Sequence, residues 1–417
     1  MSLWRIAWCY LWNRKLTTLL TILSVALGVG LIYSVLTLRE ETRKRFEEEG
    51  QAFDIVVGAK GSPLQLVLSA LYFMDVPTGN IAFSDYEALK NHEDVAAAFP
   101  ICMGDTFRGF RIEGTTPEIF GYTWTSAITG ETRQPFSFAS GRPFEKPMEA
   151  VVGSAVAEAE GLELGDSFIG SHGFIELPEG LGHDHSDAPY TVVGILAASG
   201  TPNDRAIFCS MDSVWNVHAH PKEEDGDHHE DHDESREVTA ILIALESPSL
   251  RFQFVEYVND SFNAMATIPI QQVANLYANI LGTAKSVLLA VGYLVVVISA
   301  ISVLIGLYLS IFQRKRDLAV MRALGASAYE IVSSVLIEAF LVTLLGIGVG
   351  WLLGNGVCWA IGQYLERRYG LGVGLFGLLT QEQWAAFATI ALVGLLAGIL
   401  PAWQAYRTDV ARDLAEL

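Results

Sequence analysis

The sequence predicts a membrane protein with four transmembrane α-helices and a large extracytoplasmic α+β domain inserted between the first and the second. Hydrophobic residues make up 51% of the 417 residues and the mean hydropathy is +0.33, which is high for a soluble protein of this length. Four apolar runs are each long enough to cross a bilayer, which requires about 20 residues. The formal net charge of −20 comes mostly from acidic residues between positions 40 and 260, outside these runs.

The N-terminal segment is rich in tryptophan and leads into the first apolar run. Trp4, Trp8 and Trp12 recur at helical spacing beside basic residues, and tryptophan prefers the headgroup region of a bilayer. Residues 1–15 therefore predict an interfacial helix on the cytoplasmic surface. The run 16–38 is longer than the apolar core of a signal peptide and has no small-residue cleavage motif after it. We expect it to be the first membrane span.

Further apolar runs predict the second, third and fourth spans at residues 281–312, 331–365 and 384–403. The second run is longer than a bilayer needs, and its excess predicts a stalk that continues out of the membrane. Basic residues flank the first span, the segment 313–330 and the end of the fourth span, which places these regions in the cytoplasm. Residues 366–383 then predict a short external loop, and residues 404–417 predict a cytoplasmic tail.

The extracytoplasmic domain is predicted at residues 39–280. Its first residues mix arginine, lysine and glutamate, which we interpret as the charged surface of a helix that continues upward from the first span. Strand-like patterns occur at 53–57, 107–112, 190–196, 205–209 and 238–245. Helical patterns alternate with them, and Ser84 and Ser154 are the expected N-caps of two helices. Residues 62–75 predict a short apolar helix, which either packs in the core or receives a hydrophobic partner.

Several functional classes find no support in the sequence. The sequence lacks the clusters of lysine and arginine that are typical of nucleic-acid-binding proteins, so we expect no nucleic-acid binding. No GxxxxGK[S/T] run is present to cradle phosphates, so this chain is not predicted to be an enzyme and any ATPase would be a separate polypeptide. No CxxC pair occurs. Cys102 and Cys209 would face an oxidising compartment, where they either pair or serve as small apolar residues on buried strands.

The segment between the second and third spans, QRKRDLAVMRALGAS at 313–327, combines charge with apolar residues at helical spacing. Charge alone would make it a topology signal. The residue order resembles the cytoplasmic loop of the FtsX/MacB-type ABC permease family, which usually reads close to RKREIGLLRALGAS. In that family this loop is the coupling helix, which docks on a cytoplasmic ATPase. The resemblance implies ATPase coupling by Arg314, Arg316, Asp317, Arg322, Leu324, Gly325 and Ala326.

The resemblance extends over most of the chain. GRPFEKPMEAVVGSAVAEAEGLELGDSF at 141–168 and YTVVGILAASGTPNDRAIF at 190–208 resemble the periplasmic core domain of MacB-type permeases. RKLTTLLTILSVALGVGL, LIEAFLVTLLG and the closing LPAWQAYRTDVARDL are similar to the first span, the third span and the tail. The tail departs from the family at Val410, where proline usually follows Asp409. The family resemblance implies a dimer in the bacterial inner membrane that works with a separate ATPase.

Two features of the predicted spans concern helix packing. Gly346, Gly350, Gly354, Gly394 and Gly398 repeat every four residues on two helices, which permits close backbone approach. Glu338 lies about two turns into the third span, where a carboxylate needs a partner or a proton. We interpret it as a structural hydrogen-bonding residue, with proton coupling as the alternative.

Eight of the nine histidines lie between positions 172 and 232, in two acidic segments at about 172–189 and 216–237. Imidazoles interleaved with carboxylates suit zinc or another transition metal, whereas a solvated loop is the simpler interpretation. The candidate metal ligands are His183, His185, His218, His220, His228, His229 and His232. No cofactor is otherwise expected.

The sequence thus predicts the permease subunit of an ABC complex that couples ATP hydrolysis by a partner to movement of its periplasmic domain. A metal-related export or lipoprotein-handling system is one possible task. Expected partners are the ATPase, a second copy or a homologous permease, a periplasmic or lipid-anchored protein, and membrane lipids. The alternatives are a scaffold that activates an extracytoplasmic enzyme, as FtsX does, and a membrane-anchored metal sensor or chaperone that needs no ATPase.

Overall fold

The computed structural model describes residues 3–126, 130–172, 188–218, 236–369, 377 and 379–406. The chain divides into two compact units. The membrane unit comprises residues 1–41, 280–362 and 373–417, and the domain unit comprises residues 42–279 and 363–372.

The α-helices of the described residues are divided between the two units, with α3 to α8 in the domain unit. They are α1 (Leu3–Asn13), α2 (Lys15–Glu49), α3 (Pro63–Tyr72), α4 (Phe83–Lys90), α5 (Ser154–Glu160), α6 (Met211–His218), α7 (Arg251–Ser261), α8 (Pro269–Leu276), α9 (Gly282–Gln313), α10 (Lys315–Ala323), α11 (Ala328–Tyr369) and α12 (Gln381–Tyr406). A π-helical turn at Tyr277–Leu281 joins α8 to α9. The chain therefore runs from the domain into the second span without leaving a helical conformation.

The β-strands of the described residues all lie in the domain unit. They are β1 (Ile55–Gly58), β2 (Ile81–Ala82), β3 (Val95–Phe107), β4 (Phe110–Thr115), β5 (Trp124–Thr125), β6 (Thr132–Arg133), β7 (Phe138–Gly141), β8 (Glu149–Val152), β9 (Ser167–Phe168), β10 (Ser171–His172), β11 (Tyr190–Leu196), β12 (Ala206–Ser210), β13 (Glu237–Val238), β14 (Ala240–Leu245) and β15 (Met265–Thr267).

Four helices within the described ranges are long and apolar enough to cross a membrane, which confirms the predicted fold class. The spans are Lys15–Lys44, Pro269–Gln313, Ala328–Leu365 and Gln381–Gln404. Each helix is longer than its apolar run because polar residues extend it. In α2 the extension is supported by Arg43, whose guanidinium donates to the Glu47 carboxylate one turn later at 2.7 and 2.9 Å.

One large sheet forms the centre of the domain unit. Its main path runs β15-β1-β14-β3-β4-β12-β8-β11-β7, with β10 beside β3 and β9 beside β11. Most neighbours are antiparallel, whereas β4 pairs with β12 and β8 with β11 in parallel. Apolar side chains cover both faces, so helices must pack on each side. The domain inserted between the first and second spans thus combines helices and strands, as the sequence predicts.

The two faces of this sheet carry separate hydrophobic clusters. On one face α4, α5, α6 and α7 cover strand residues such as Ile112 and Ile207. On the other face α3 and α8 cover Phe208 and Leu242 together with a group of phenylalanines. Leu66, Val67, Ala70 and Leu71 of α3 are buried there, which favours core packing over a hydrophobic docking role for residues 62–75.

Several local predictions are wrong in detail. Ser84 and Ser154 are not N-caps, because α4 and α5 begin after Ala82 and Gly153 and neither cap position uses a side chain. The strand predicted at 107–112 is instead the last residue of β3, a two-residue turn at 108–109 and the first half of β4. Cys102 and Cys209 are free and buried. Both lie opposite Gly114 on the two neighbours of β4, so this strand separates them and excludes a disulfide without backbone movement.

An aromatic cluster in the domain unit holds the upper end of α2. Phe46 stacks on Tyr72 with ring centroids 4.8 Å apart and meets Tyr277 edge-on at 6.0 Å. The Tyr72 hydroxyl donates to the Phe46 carbonyl at 2.6 Å. Gly50 follows closely, and a Cβ there would lie 3.4 Å from the Tyr72 hydroxyl. Phe46 therefore joins the end of α2 both to α3 and to the π-helical turn that follows α8.

Candidate coupling site

The segment between the second and third spans forms the short helix α10, with a defined break on each side. Gly325 ends it with φ of +101°, a conformation that strains any residue with a side chain. Ser327 then begins α11 as half of a capping box: its hydroxyl accepts from the Glu330 amide at 3.3 Å, and the Glu330 carboxylate accepts from the Ser327 amide at 2.7 Å. The residues Gly-Ala-Ser thus turn the chain from α10 into α11.

Helix α10 has one buried face and one exposed face. Leu318 and Ala319 are buried, and Leu318 forms a cluster with residues of the three neighbouring membrane helices. The other members of this cluster are Ile311, Ile331, Val335 and Ala402. On the opposite side Val320 is exposed, and Leu324 just beyond the helix is 83% exposed. Burying Leu318 holds α10 on the bundle and leaves the other apolar side chains available to a partner.

An apolar groove lies beside this exposed surface, between the first turns of α11 and the last turns of α12. Tyr329, Val332, Leu336, Ile399, Ala402, Trp403 and Tyr406 line a volume of about 330 Å³. Tyr329 is 77% exposed and lies only five residues after Leu324. The exposed apolar surface at this end of the membrane unit therefore continues from α10 into α11.

The first residue before α10 is anchored inside the membrane unit. The Arg314 guanidinium forms an ion pair with the Glu338 carboxylate of α11, and each side chain is only 6% exposed. Ser310 of α9 donates its hydroxyl to the other Glu338 oxygen at 3.2 Å. The Arg314 guanidinium lies over the Tyr10 ring of α1, 4.1 Å from its centroid.

This arrangement defines the chemistry of Glu338. Inside a low-dielectric bundle the oxygens of a carboxylate need partners, and here an arginine and a hydroxyl supply them. The geometry therefore favours the structural role over proton coupling.

The predicted coupling residues occupy different environments. Arg314 is buried, so it holds α10 in place and does not lie on the exposed surface. Asp317, Leu324 and Gly325 are exposed, whereas Arg322 and Ala326 are half-buried. Arg316 lies in α10, but its side chain is outside the described residues. Sequence reasoning missed Tyr10, Ser310 and Tyr329: Tyr10 contacts Arg314 and Met321 from a distant helix, Ser310 bonds Glu338 across the bundle, and the exposure of Tyr329 has no sequence signal.

The predicted packing glycines lie at close helix crossings. Gly346, Gly350 and Gly354 of α11 face α2, where an added Cβ would lie 2.6 Å from Val25 Cβ, Val29 Cβ and Tyr33 Cδ1 respectively. Gly394 and Gly398 of α12 face α11, and a Cβ at Gly398 would lie 2.7 Å from Ala339 Cβ. Real Cβ contacts do not reach such distances, so these backbones approach more closely than side chains would permit.

Most of the predicted metal ligands lie outside the described residues. His183, His185, His220, His228, His229 and His232 are in this group, and only the backbone of His218, the last residue of α6, is described. Among the residues that the structure describes, no group of three or more His, Cys, Asp or Glu side chains could hold a metal ion.

Comparisons with known protein families agree with this architecture. Residues 18–260 match the model of the MacB-like periplasmic core domain, which is more than half of the chain. Residues 289–410, including α10 and the third and fourth spans, match the model of the FtsX-like permease C-terminal region. The chain belongs to the MacB/FtsX-type ABC permease family. It is an inner-membrane permease component whose domain unit lies in the periplasm.

Curated relatives are distant in sequence but similar over nearly the whole chain. The macrolide export ATP-binding/permease protein MacB of Nitrosomonas europaea is 23% identical over 412 residues, covering 97% of this chain and 58% of that protein. The pyoverdine export ATP-binding/permease protein PvdT of Pseudomonas fluorescens is 23% identical over 426 residues, covering 97% and 57%. The chain thus spans somewhat more than half the length of these relatives.

Among solved structures, the periplasmic region of MacB from Actinobacillus actinomycetemcomitans matches with a TM-score of 0.33 and 11% identity. The match covers 55% of this chain and 95% of the solved chain.

Proposed function

We propose that this permease couples ATP hydrolysis by a separate cytoplasmic ABC ATPase to movements of its periplasmic domain. The observation that carries the proposal is the two-sided packing of α10. Its buried face and the Arg314–Glu338 ion pair hold it on the membrane helices, while Val320, Leu324 and Tyr329 offer exposed apolar surface at the same end. A partner that pushes on this surface would move α10 together with the spans to which it is attached.

Two long helices provide the path from the membrane unit to the periplasm. Helix α2 runs without interruption from Lys15 to Glu49, and α9 follows directly on α8 through the π-helical turn at Tyr277–Leu281. Both paths end at the aromatic cluster of Phe46, Tyr72 and Tyr277. Because helices resist bending, movement at their cytoplasmic ends is passed along them.

The family membership also supports a dimeric assembly, which we propose as two copies of this chain, or this chain with a homologous permease, bound to two ATPase subunits. Lipid-facing surface is ample, since many apolar residues of α9 and α12 are exposed. The exporters of macrolides and pyoverdine among the relatives favour an export task. Lipoprotein handling remains a second hypothesis within the same architecture.

The coupling proposal is tested by affinity purification of the tagged chain from its native membranes, with mass spectrometry to identify the ABC ATPase that accompanies it. The double variant Arg322→Glu with Leu324→Asp places two charges on the proposed docking surface, and we expect it to lose the ATPase. A matched control is Glu382→Gln, at the start of α12, which should leave recovery unchanged. Equal recovery with the double variant and the wild type would refute the docking surface.

A metal-related task is a separate hypothesis, and it rests on the histidine content of residues 172–232. Isothermal titration of the full-length chain with zinc should give a heat of binding that disappears when residues 218–233 are deleted. Equal heats of zinc binding for the two proteins would show that these histidines are solvated and do not bind the metal. The rival metal sensor would require no ATPase, so the Arg322→Glu, Leu324→Asp variant would retain its activity.

A further inference from the structure

The interfacial helix α1 makes a specific contact with the start of α10. Tyr10 of α1 lies with its ring under the Arg314 guanidinium, and its hydroxyl donates to the Met321 sulfur of α10 at 4.0 Å. Ala7 and Leu11 on the same side of α1 are buried. Trp4, Trp8 and Trp12 are instead about half exposed on the outer side. Helix α1 therefore packs against the coupling segment and is more than an anchor in the headgroup region.

Arg314 occupies the point where two helices meet. Its amide donates to the carbonyl of Ile311 in α9 at 3.2 Å, and its carbonyl accepts from the amide of Leu318 in α10 at 3.0 Å. It is also the N-cap position of α10. Fixing the Arg314 side chain therefore fixes the end of α9 and the beginning of α10 together.

Three elements fix that side chain. Glu338 comes from α11, Tyr10 from α1, and Ser310, which orients the Glu338 carboxylate, from α9. Burying an arginine and a glutamate is costly, and such a pair persists only where the geometry satisfies both charges. At the other end of α10, in contrast, the Leu324 side chain is 83% exposed. One end of the coupling helix is held, and the other end is open to a partner.

A small cavity lies beside the ion pair. A volume of about 20 Å³ is lined by Arg14, Thr17, Thr18, Thr21, Ser310 and Glu338, together with apolar residues of α1, α9 and α11. This is enough space for one water molecule with several hydrogen-bonding partners.

We propose that Arg314, Glu338 and Tyr10 form a pivot that positions the coupling helix, and that α1 is thereby a working part of the coupling device. This inference rests on the proposed function, because a partner ATPase would supply the push at the Leu324 end. The pivot fixes the junction of α9 and α10 against α1 and α11, so a push at the Leu324 end is passed to the attached spans instead of bending the chain at that junction. Tyr10 and Glu338 are positioning residues, since they act through Arg314.

The pivot is tested without the ATPase by electron paramagnetic resonance of the full-length chain in nanodiscs. The exposed Cys9 is replaced by serine, the other cysteines are buried, and a nitroxide label is attached to Leu324→Cys. We expect Glu338→Ala and Tyr10→Leu to raise the mobility of this label. Tyr10→Phe should keep the wild-type spectrum, because the ring over Arg314 is retained.

Two further variants keep the test decisive where a single change disturbs folding. The exchanged pair Arg314→Glu with Glu338→Arg should give a label mobility between those of Glu338→Ala and the wild type, because it restores the ion pair but loses the cation over Tyr10; a merely destabilised protein would not regain any order. Glu382→Gln breaks the ion pair of Lys285 and Glu382, 2.8 Å apart at the other end of the bundle, and should leave the spectrum unchanged. Unchanged mobility in both Glu338→Ala and Tyr10→Leu would overturn the pivot.

A second measurement separates the pivot from the proposed function. With the co-purified ATPase, Tyr10→Leu should lower the permease-stimulated rate of ATP hydrolysis by about tenfold, a loss in proportion to a desolvated cation–π contact. Recovery of the ATPase should stay normal, because the docking surface is intact. If no ATPase accompanies even the wild-type chain, the proposed function fails, while the spectra still decide whether the pivot exists.

Discussion

The close crossing of α2 and α11 makes opposite predictions for the same substitution at two positions of one helix. Gly350 faces α2, and a Cβ there would lie 2.6 Å from Val29 Cβ and 2.7 Å from the Ala26 carbonyl oxygen. Gly356, less than two turns further along α11, has no heavy atom within 4 Å of such a Cβ. Alanine is therefore expected to be harmful at the first position and harmless at the second.

The expected magnitudes follow from two opposing effects. Replacing glycine by alanine inside a helix stabilises it by up to about 1 kcal/mol at either position. At Gly350 the new methyl group also forces α2 and α11 apart, and overpacking of this kind costs about 1–3 kcal/mol. The obstructing atoms are a backbone carbonyl and a β-branched Cβ, so neither can rotate away. Gly350→Ala should thus be less stable than Gly356→Ala by about 1–3 kcal/mol.

The separation would also reach neighbouring polar contacts. The Ser34 hydroxyl of α2 donates to the Gly354 carbonyl at 3.2 Å, and Tyr33 donates to Asn355 at 3.3 Å. Thermal unfolding of the purified variants in one detergent, followed by circular dichroism, measures the difference. Equal unfolding temperatures for the two variants would show that the helices do not approach at Gly350 as described.

The remaining predictions concern the domain unit and the turn after α10. Burial raises the pKa of Glu113 to about 8 from its usual 4.5, so between these values the folded domain keeps a proton that the unfolded chain has lost. The free energy of unfolding should therefore fall by about 3–5 kcal/mol as the pH rises through this window. In denaturant titrations at pH 5 and pH 8, Glu113→Gln should remove this dependence of stability on pH. Burial also raises the pKa of the Cys102 and Cys209 thiols. A maleimide at neutral pH should therefore modify Cys9 alone in the folded chain and all four cysteines after unfolding. If two cysteines resisted modification in the unfolded, unreduced chain, they would form a disulfide. Gly325→Ala should lower the free energy of unfolding by about 1–3 kcal/mol, because φ of +101° suits only glycine. The neighbouring control Ala326→Gly, where no such constraint applies, should have a much smaller effect. Equal losses of stability in the two variants would contradict the described turn.

The membrane helices could be predicted from sequence because length and hydropathy decide them. The four spans and the inserted domain follow from apolar runs of bilayer length, which few soluble sequences contain. The coupling segment could be located because its charges interrupt two such runs. The glycine repeat also lies at a close helix crossing in the structure, because helical spacing alone places Gly346, Gly350 and Gly354 on one face.

The partners within the site could not be predicted, because they are set by tertiary packing. Glu338 is 24 residues from Arg314 and Tyr10 is more than 300 residues away, so no local pattern links them. The burial of Arg314 contradicts the expectation that a charge in a cytoplasmic loop faces a partner. Only the pairing inside the bundle makes that burial possible.

In the domain unit, too, some strands could be predicted from the sequence and others could not. The strand 190–196 matches β11 because its apolar residues alternate and turn residues bound it. The long strand β3 was missed, since Pro100 and Gly104 within it resemble strand breakers. Pro100 nevertheless pairs with Ile241 in the middle of the sheet, where the neighbouring strands and the packing of both faces override local preference.

The central claim is that a push on α10 reaches the periplasmic domain. Hydrogen–deuterium exchange of the permease bound to its ATPase, with and without ATP, measures this directly. We predict that ATP changes the exchange of the segments around Phe46 and Tyr277 in the wild type, and that Leu324→Asp, compared at saturating ATPase, abolishes the change. A wild-type complex that hydrolyses ATP while exchange in the periplasmic domain stays constant would contradict the account.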